Sequence, residues 1–335
     1  MRDLPTNDKH RHVGVLNIDD VGFFEEISRP WELLVTTVDA KRFEHQKTFL
    51  VTPNIILYRE SFESAVRVRG LTPTGMLSLT VPLHVGERTA YWNKALHETG
   101  LPISMPGGLD ARIDSGQEHL ILLINLELLQ RSLSEESYQA LVIMARNHLL
   151  PVALSEIQSL GRWLMKIIQE AVQKPEIFVQ GRVVGSLEQD MIQRLADLVE
   201  STGHSAVHPA AISKRRHGLE RIYEYLRCAD PASISILQLC EVAGVSRRTL
   251  EYSFREELDI TPQGFIKLMR LHSARRGLLA SHTGGSSVAE ITHSLGIYEQ
   301  GRFASEYRSL FGELPSQTMM KPAIDQASPL AIFIS

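Results

Sequence analysis

The side chains of this sequence that could do chemistry are arranged for binding. Arg247, Arg248, Glu251, Tyr252 and Arg255 fall at the spacing of one face of a helix. Arginine can make two hydrogen bonds to a guanine edge, and glutamate can accept one from cytosine. A helix that carries such side chains near its amino end fits the major groove of DNA. The segment therefore predicts a helix that reads DNA.

A second segment of the same character follows in the chain. Its polar positions on one helix face, after Glu299, are Gln300, Arg302, Ser305 and Arg308. Glutamine can make two hydrogen bonds to adenine, so this face also has the chemistry of base recognition.

The two segments belong to an internal repeat. Gly244-Val245-Ser246 recurs as Gly296-Ile297-Tyr298 after 52 residues, and Phe254-Arg255 recurs as Tyr307-Arg308 after 53 residues. Each copy is interpreted as helix, tight glycine turn and helix, because glycine accepts the left-handed backbone of a sharp turn. The repeat predicts two helix-turn-helix units, at about 235–258 and 287–311.

Apolar residues and caps define the first unit. Ser235 and Ser246 are placed to cap its two helices, and Leu250, Phe254 and Leu258 form a stripe that must face a core. In the second unit, Ser286-Ser287 precede the first helix, and an apolar stripe follows. Its members are Val288, Ile291, Leu295, Phe303, Tyr307 and Leu310.

A connector helix over 263–280 joins the two units, and it would span roughly 27 Å. Successive major grooves on one side of DNA lie about 34 Å apart, so the connector could place the two recognition helices in adjacent grooves. A helical bundle with arginines on its surface and no DNA partner is the structural alternative.

Signatures of enzymes are missing from the sequence. It contains no G-x-G-x-x-G, no P-loop, no H-E-x-x-H and no G-x-S-x-G motif. The 13 histidines are scattered, and none has the spacing of a metal site in a strand-rich context. We therefore expect no catalytic residue, no metal site and no enzyme.

Composition limits the class of protein. A chain of 335 residues is expected to form two or three domains. No apolar run is long enough to cross a bilayer, and the polar start of the chain has no export signal. Two cysteines, Cys228 and Cys240, are too few for a disulfide framework, so a cytoplasmic protein is expected. Residues 213–321 hold 15 Lys and Arg against 12 Asp and Glu, whereas the remainder of the chain is acidic.

The N-terminal part is expected to be an arm over 1–30 followed by a β-rich domain over 31–133. Short runs of β-branched and aliphatic residues at 33–38, 55–59, 65–69 and 76–81 are separated by turn signals. Several short strands at this spacing predict a sandwich or a barrel. A further strand is expected at 119–125.

Residues 134–205 are expected to be helical. Ser134 is placed to cap a helix, a second helix is expected over 155–173, and a third carries one apolar stripe. The stripe consists of Leu187, Met191, Leu195 and Leu198. It either packs on the β-rich domain or contacts a second protomer, so a homodimer is one of two alternatives. A linker is expected over 201–209 and a tail over 322–335.

Residues 213–321 resemble the DNA-binding domain of the AraC/XylS family of transcription regulators. The residues that carry the resemblance are Leu239, Gly244-Val245-Ser246, Leu250, Phe254-Arg255, Thr261-Pro262, Arg270-Leu271, Ala274, Leu278, Val288-Ala289-Glu290-Ile291, Leu295-Gly296, Phe303, Tyr307-Arg308, Phe311-Gly312 and Pro315-Ser316. Five residues depart from the family pattern: Cys240, Asp259, Thr292, Ile297 and Ser305. The first four are compatible with packing, and Ser305 puts one DNA contact in doubt because arginine is frequent there.

The resemblance implies roles for individual residues. The positions implied to read bases are Arg248, Glu251, Tyr252, Gln300, Arg302 and Ser305. Arg247 and Arg308 are implied to contact phosphates, which position a protein without specifying sequence. The family also implies a cupin-like β-rich sensor domain, a small-molecule effector, activation of a catabolic operon and RNA polymerase as a partner.

Within the family, the sequence is similar to regulators of the ethanolamine-utilisation operon. SRRTL at 246–250 and the connector around 260–276 carry this likeness, and the N-terminal half shares it only loosely. It implies ethanolamine together with adenosylcobalamin as effectors. An ethanolammonium ion would need a carboxylate and an aromatic face, for which Glu60, Glu63, Tyr91 and Trp92 are the candidates.

The expected fold class is α+β and multidomain, with a β-rich sensor, a helical linker and an all-α domain with two helix-turn-helix units. The expected function is an effector-controlled regulator that binds a double-stranded DNA operator and no membrane. An AraC-type regulator that answers to a different small molecule, or to none, is the runner-up. A sensor domain with residual enzymatic activity is the third alternative.

Overall fold

The computed structural model describes residues 12–28, 30–38, 42–92, 94–96, 100–202, 214–281 and 286–320, with only the backbone given for 214–217 and 257. Most of the expected linker and the whole expected tail lie outside these residues.

The N-terminal part consists of two antiparallel sheets. Its strands are β1 (Val13–Ile18), β2 (Glu32–Thr37), β3 (His45–Val51), β4 (Ile55–Phe62), β5 (Val66–Leu71), β6 (Met76–His84), β7 (Ala90–Tyr91), β8 (Lys94–Ala95), β9 (Ile103–Ser104), β10 (Gly108–Ile113) and β11 (Gln117–Asn125). One sheet has the order β1-β3-β4-β11-β6-β9, and the other has the order β2-β5-β10-β7-β8. These sheets confirm the β-rich N-terminal domain.

The larger sheet is covered on both faces, which explains the nearly continuous apolar runs in its strands. Alternate residues of β4 and β11, among them Tyr58 and Leu123, join an apolar core with residues of the smaller sheet such as Val35 and Val68. The side chains that point the other way, such as Leu122, pack under helices. The first core contains the cavity described below.

Most of the helices that cover the larger sheet come from the segment expected to be helical, whereas α2 lies at the end of the segment expected to be β-rich. They are α2 (Leu126–Ser132), α3 (Glu135–Arg146), α4 (Leu154–Gln173), the short 3₁₀ helix Pro175–Ile177 and α5 (Gly181–Ser201). The Ser134 side chain caps α3 by accepting from the Ser137 amide, as its position predicted.

The apolar stripe of α5 packs inside the chain. Met191 and Leu195 are 2% exposed, and Leu187 and Leu198 pack against the same core. Glu188 fixes the helix further, because its buried carboxylate accepts hydrogen bonds from Asn54 N and Asn54 Nδ2, each at 2.9 Å. Of the two alternatives for this stripe, the structure thus favours packing on the β-rich domain. The apolar stripe that suggested a dimer is therefore explained by packing within one chain.

The structure differs from the arm expected over 1–30. Val13–Ile18 form β1, which pairs with β3 at the edge of the larger sheet, and α1 (Val21–Ile27) follows. The Asp20 side chain caps α1 by accepting from the Phe23 amide at 3.0 Å. Residues 1–11 lie outside the described residues.

The C-terminal part is helical. Its helices are α6 (Lys214–Cys228), α7 (Ile236–Ala243), α8 (Arg247–Leu258), α9 (Pro262–Ala280), α10 (Val288–Ser294), α11 (Gln300–Phe311) and α12 (Pro315–Met319). Ser235 caps α7, Ser246 caps α8, and Gly244 has the left-handed φ of 65° that the turn between them requires. Ser287 caps α10. The two helix-turn-helix units and their connector α9 therefore have the elements that the repeat predicted.

Candidate nucleic-acid interface and sensor cavity

The first candidate DNA-reading face lies on α8. Leu250, Phe254 and Leu258 are at most 1% exposed, so they fix α8 on the core of its unit and turn the opposite face to solvent. The polar residues on this exposed face are Arg247, Arg248, Glu251, Tyr252 and Arg255. Arg247 Nε donates to Glu251 Oε1 at 3.1 Å.

The second candidate face lies on α11 and is more strongly bonded within the protein. Phe303 and Tyr307 anchor the helix, and Arg302, Ser305 and Arg308 are exposed. Arg302 Nε donates to Glu306 Oε1 at 3.0 Å, and Lys267 of the connector lies 3.3 Å from the same oxygen. A base contact by Arg302 therefore competes with an ion pair that solvent screens.

Gln300 is the sequence-predicted reader that the structure turns inward. Its amide nitrogen donates to Thr292 Oγ1 at 2.7 Å, and the side chain is half-buried. Thr292 is one of the departures from the family pattern, in which alanine stands at this position and offers no acceptor. Gln300 must break this bond before it can reach a base.

The connector α9 has 19 residues and therefore spans roughly 28 Å. Phe265, Leu268 and Leu271 are buried along it, and the first two join the core of the first unit, whereas Leu271 and Leu278 join that of the second. The two units thus have separate cores on one continuous helix.

A small cavity of about 50 Å³ lies between the two sheets of the N-terminal domain. Trp31, Tyr91, Trp92, Phe24 and Phe62 supply its aromatic wall, which is joined by aliphatic side chains. Its polar wall consists of Ser28, Lys47, Glu60, Ser78, Thr80 and His119. A polar cluster inside an apolar core is the usual composition of a ligand site.

Glu60 is the centre of the polar wall. Lys47 Nζ lies 3.0 Å from Glu60 Oε1, and His119 Nε2 lies 3.3 Å from Glu60 Oε2. Burial by itself would raise the pKa of the Glu60 carboxyl, but Lys47 and the hydrogen bond from His119 hold that pKa well below its ordinary value. The carboxylate therefore already has an ammonium partner inside the protein.

Three of the four effector candidates come together, and the fourth does not. Glu60, Tyr91 and Trp92 line the cavity, whereas Glu63 is exposed. Glu60 is an inward residue of β4, whereas Glu63 follows the end of that strand and lies outside the sheet. Tyr91 Oη has no hydrogen-bond partner among the described residues, so it is a buried polar group open to a ligand.

Sequence reasoning missed Lys47 and His119. His119 stands in the strand expected at 119–125, whereas Lys47 stands in β3, where no strand was expected, and each is at most 1% exposed. A lysine at an inward position of a strand is rare without a partner, so the alternation of His45-Gln46-Lys47-Thr48-Phe49 is the signal that could have found Lys47.

The two halves of the chain contact each other through different chemistry at each unit. Leu34 and Leu71 of the smaller sheet share an apolar core with the first unit. Arg69 Nε donates to the carbonyl oxygen of Leu258, which ends α8, at 3.1 Å. In the second unit, α11 lies beside β2, and the Arg275 guanidinium of α9 lies 2.9 Å from Asp20 Oδ2.

Two findings concern the described residues alone. No helix among them is long and apolar enough to cross a membrane. No group of three or more His, Cys, Asp or Glu side chains in the same part of the chain is placed to hold a metal ion.

Fold and geometry together define a protein with a β-rich domain and two helix-turn-helix units whose second helices are exposed. Residues 239–321 match a family model described as a helix-turn-helix domain. The chain is 33% identical over 132 residues to the XylDLEGF operon transcriptional activator 1 of Pseudomonas putida, which covers 39% of this chain and 40% of the relative. It is also 33% identical over 96 residues to the probable thc operon regulatory protein of Rhodococcus erythropolis, which covers 29% of each.

The chain thus matches well under half the length of these two relatives. The matches support the AraC/XylS family for the helix-turn-helix domain. Among solved structures, the AraC-like transcriptional activator CuxR aligns with 84% of this chain and 100% of its own, at 11% identity and a TM-score of 0.36. ToxT from Vibrio cholerae aligns with 92% and 97%, at 11% identity and a TM-score of 0.35.

Proposed function

We propose that the chain is a sequence-specific DNA-binding regulator of transcription whose N-terminal domain senses a small molecule. The observation that carries the proposal is the pair of exposed polar faces on α8 and α11, joined by one continuous helix. A bundle without a DNA partner gives no reason for two such faces at this separation. The relatives named as operon regulators support the same function.

Binding to DNA is proposed to use the two faces differently. On α8, Arg248, Glu251 and Tyr252 read bases, while Arg247 and Arg255 are placed beside them. On α11, Arg302 and Ser305 read bases after Arg302 leaves Glu306, and Arg308 holds a phosphate. Gln300 joins them only when its bond to Thr292 opens.

The test of DNA binding is fluorescence anisotropy of the full chain on labelled duplexes, repeated over a range of salt concentrations. Each neutralised phosphate contributes a slope of about −0.9 to the plot of log affinity against log salt. A steep negative slope supports the proposal, and binding that does not depend on salt contradicts it. The variant Glu63→Gln, far from both faces, is the matched control.

For the sensor, we propose a small molecule in the cavity between the sheets, in contact with Glu60, Tyr91 and Trp92. Ethanolamine would have to displace the ammonium of Lys47 from Glu60 before its own ammonium could bind there. Adenosylcobalamin does not fit this cavity, because a volume of about 50 Å³ is far too small for so large a cofactor. A different small polar molecule, which is the alternative effector, is therefore the better proposal.

Thermal shift decides between these effectors. A ligand that binds only the folded protein at 100 times its dissociation constant stabilises it by about 2.7 kcal/mol. We expect a shift with a member of a panel of small polar molecules, and no shift that needs adenosylcobalamin. A shift that appears only with ethanolamine and adenosylcobalamin together would restore the first assignment.

Activation of transcription, with RNA polymerase as the partner, is proposed from the names of the relatives alone. In-vitro transcription from a promoter that carries a bound duplex tests it. An increase in transcript on addition of the full chain supports activation, and a decrease supports repression.

A further inference from the structure

Two residues with a left-handed backbone lie face to face beside the sensor cavity. Trp92 has a φ of 47° and His148 a φ of 56°, and their rings stack at 3.9 Å with 7° between the ring planes. Residues other than glycine are uncommon in this conformation, and they cluster at ligand clamps and switch regions. Of the three such residues in the described part of the chain, these two contact each other.

His148 stands at the end of α3, at a position where helices commonly have glycine. Its amide donates to the carbonyl oxygen of Ala145, and the Leu149 amide donates to that of Met144, each at 3.2 Å. These two hydrogen bonds form the usual helix end with one left-handed residue, for which glycine costs least. The helix end alone therefore gives no reason for an imidazole at this position, whereas the stack on Trp92 does.

Trp92 is the wall of the cavity beneath this imidazole. It lines the cavity, is 8% exposed, and donates from Nε1 to the carbonyl oxygen of Gly108 at 2.9 Å. It directly follows β7, a strand of two residues that pairs with β10. Lys94 Nζ, at the start of β8, donates to the carbonyl oxygen of Asn147 at 3.1 Å and ties this edge of the sheet to the end of α3. The sheet thus holds this wall by a short ladder, and side-chain contacts supply the rest.

The other walls of the cavity are held more firmly. Most lining residues stand in strands of six to nine residues, such as Lys47 on β3 and Ala111 on β10. Phe24 belongs to α1, and Glu25 of that helix lies 2.8 Å from the buried His272 of α9. The wall that can move with the least loss of structure is therefore the Trp92 side chain.

We propose that the Trp92 side chain is the gate of the sensor cavity and that its stack on His148 keeps the gate closed. The inference rests on the proposed function, because a gate has a purpose only if a small molecule binds in the cavity. The cavity of about 50 Å³ is well below the roughly 300–1,000 Å³ of ordinary ligand pockets, so a wall must move to admit a ligand. When the Trp92 ring turns away from Gly108, it leaves the stack, opens the cavity to solvent and adds the space of its indole.

The first experiment follows Trp92 by fluorine NMR of the full chain labelled with fluorotryptophan. The chain has three tryptophans, Trp31, Trp92 and Trp163, so single replacements by phenylalanine assign the signals. His148→Gly keeps the backbone of the helix end and removes the stack. Because an aromatic pair stabilises by a modest amount, we expect relaxation dispersion to give an open population of Trp92 about fivefold larger in this variant than in the wild-type chain. The signals of Trp31 and Trp163 should not change.

Two further variants separate the stack from other causes. His148→Phe keeps an aromatic ring and should restore the wild-type behaviour of Trp92. The matched control is Arg194→Ala, which removes the guanidinium 4.3 Å from the Trp163 ring and should leave the Trp92 signal unchanged. Equal open populations in the wild-type chain and in His148→Gly would overturn the proposal. An equal rise at Trp31, which lines the same cavity, would also overturn it, because the whole sensor would then be loosened.

The second experiment measures entry into the cavity without a ligand. Ala111 lines the cavity and is 2% exposed, so Ala111→Cys places a thiol inside it. The native cysteines are removed in the background Cys228→Ser/Cys240→Ala. We expect iodoacetamide, a small neutral reagent, to alkylate this thiol about fivefold faster when His148→Gly is added. Ala171→Cys, at a position that is 0% exposed in the core under the helices, reports on unfolding and should keep its rate.

The alkylation rates separate failure of the gate from failure of the proposed function. A rate at Ala111→Cys that His148→Gly leaves unchanged, or an equal rise at Ala171→Cys, would overturn the gate. Absence of a thermal shift with every molecule of the panel refutes the sensor function. A normal thermal shift together with unchanged alkylation at Ala111→Cys refutes the gate alone.

Discussion

Lys47 and Glu60 face each other on neighbouring strands inside the β-rich domain, with Nζ 3.0 Å from Oε1 and both side chains almost fully buried. The ammonium also lies 4.2 Å from the centre of the Tyr58 ring and donates to Ser28. A buried pair is weak evidence of stabilisation, because desolvation opposes the attraction. Its position in the wall of the cavity between the sheets suggests a role in binding instead.

Removal of one partner of the Lys47–Glu60 pair should lower the stability of the domain more than removal of both. Glu60→Gln is expected to lower the free energy of unfolding by about 3 kcal/mol, because it leaves the Lys47 ammonium buried without a countercharge. The double variant Lys47→Met/Glu60→Gln should recover at least part of the loss. Urea unfolding followed by circular dichroism measures both. If the double variant were less stable than Glu60→Gln, the unpaired Lys47 ammonium would not be the cause of the loss in the single variant.

His45 should make the domain sensitive to acid. Burial lowers the pKa of His45 to about 3, although the neighbouring Glu60 acts in the opposite direction. The unfolded chain, with an ordinary pKa near 6.5, binds the proton more readily, so stability falls as pH falls from about 6.5 towards 3. At pH 5 the contribution of His45 to this loss is about 2 kcal/mol.

The variant His45→Leu should lose this part of the acid sensitivity. Urea unfolding at pH 7 and at pH 5 gives the difference in the free energy of unfolding for each variant. The exposed His84→Leu is the control and should follow the wild-type difference. An unchanged acid sensitivity in His45→Leu would assign the loss to other groups.

The helix-turn-helix units could be predicted from sequence because their signals are local. Ser235, Gly244 and Ser246 mark the ends of helices within a few residues, and the structure places each of them as a cap or a turn. The strands β1 and β3 were missed because polar residues interrupt them, and their pairing partners determine them. No local signal could show that Glu25 meets His272, which lies 247 residues further along the chain.

Two arginines should behave differently on DNA. Arg248→Ala is expected to cost about 1–3 kcal/mol on a preferred duplex and to relax the preference at one base pair. Arg308→Ala should weaken binding to all duplexes alike and reduce the salt slope by about one unit. Anisotropy on a set of duplexes with single base changes measures both. Equal effects of Arg248→Ala on every duplex would make Arg248 a phosphate contact.

Thr292 should control whether Gln300 takes part in recognition. Thr292→Ala removes the acceptor of the bond at 2.7 Å and is expected to free the Gln300 amide for a base edge. In that background, Gln300→Ala should cost about 1–3 kcal/mol on duplexes with adenine at the contacted position. In the wild-type background the same substitution should change affinity less. If Gln300→Ala weakened binding more in the wild-type background than in the Thr292→Ala background, Gln300 would be excluded as a reader.

Selection of preferred duplexes from a random pool by the full chain, followed by footprinting on the winners, tests the central claim most directly. The account predicts enrichment of two short conserved elements about 10 base pairs apart, with both protected in successive major grooves on one side of the DNA. Arg248→Ala should blur one element and Arg302→Ala the other. A pool that stays random after selection, or a single protected element that neither substitution alters, would contradict the account.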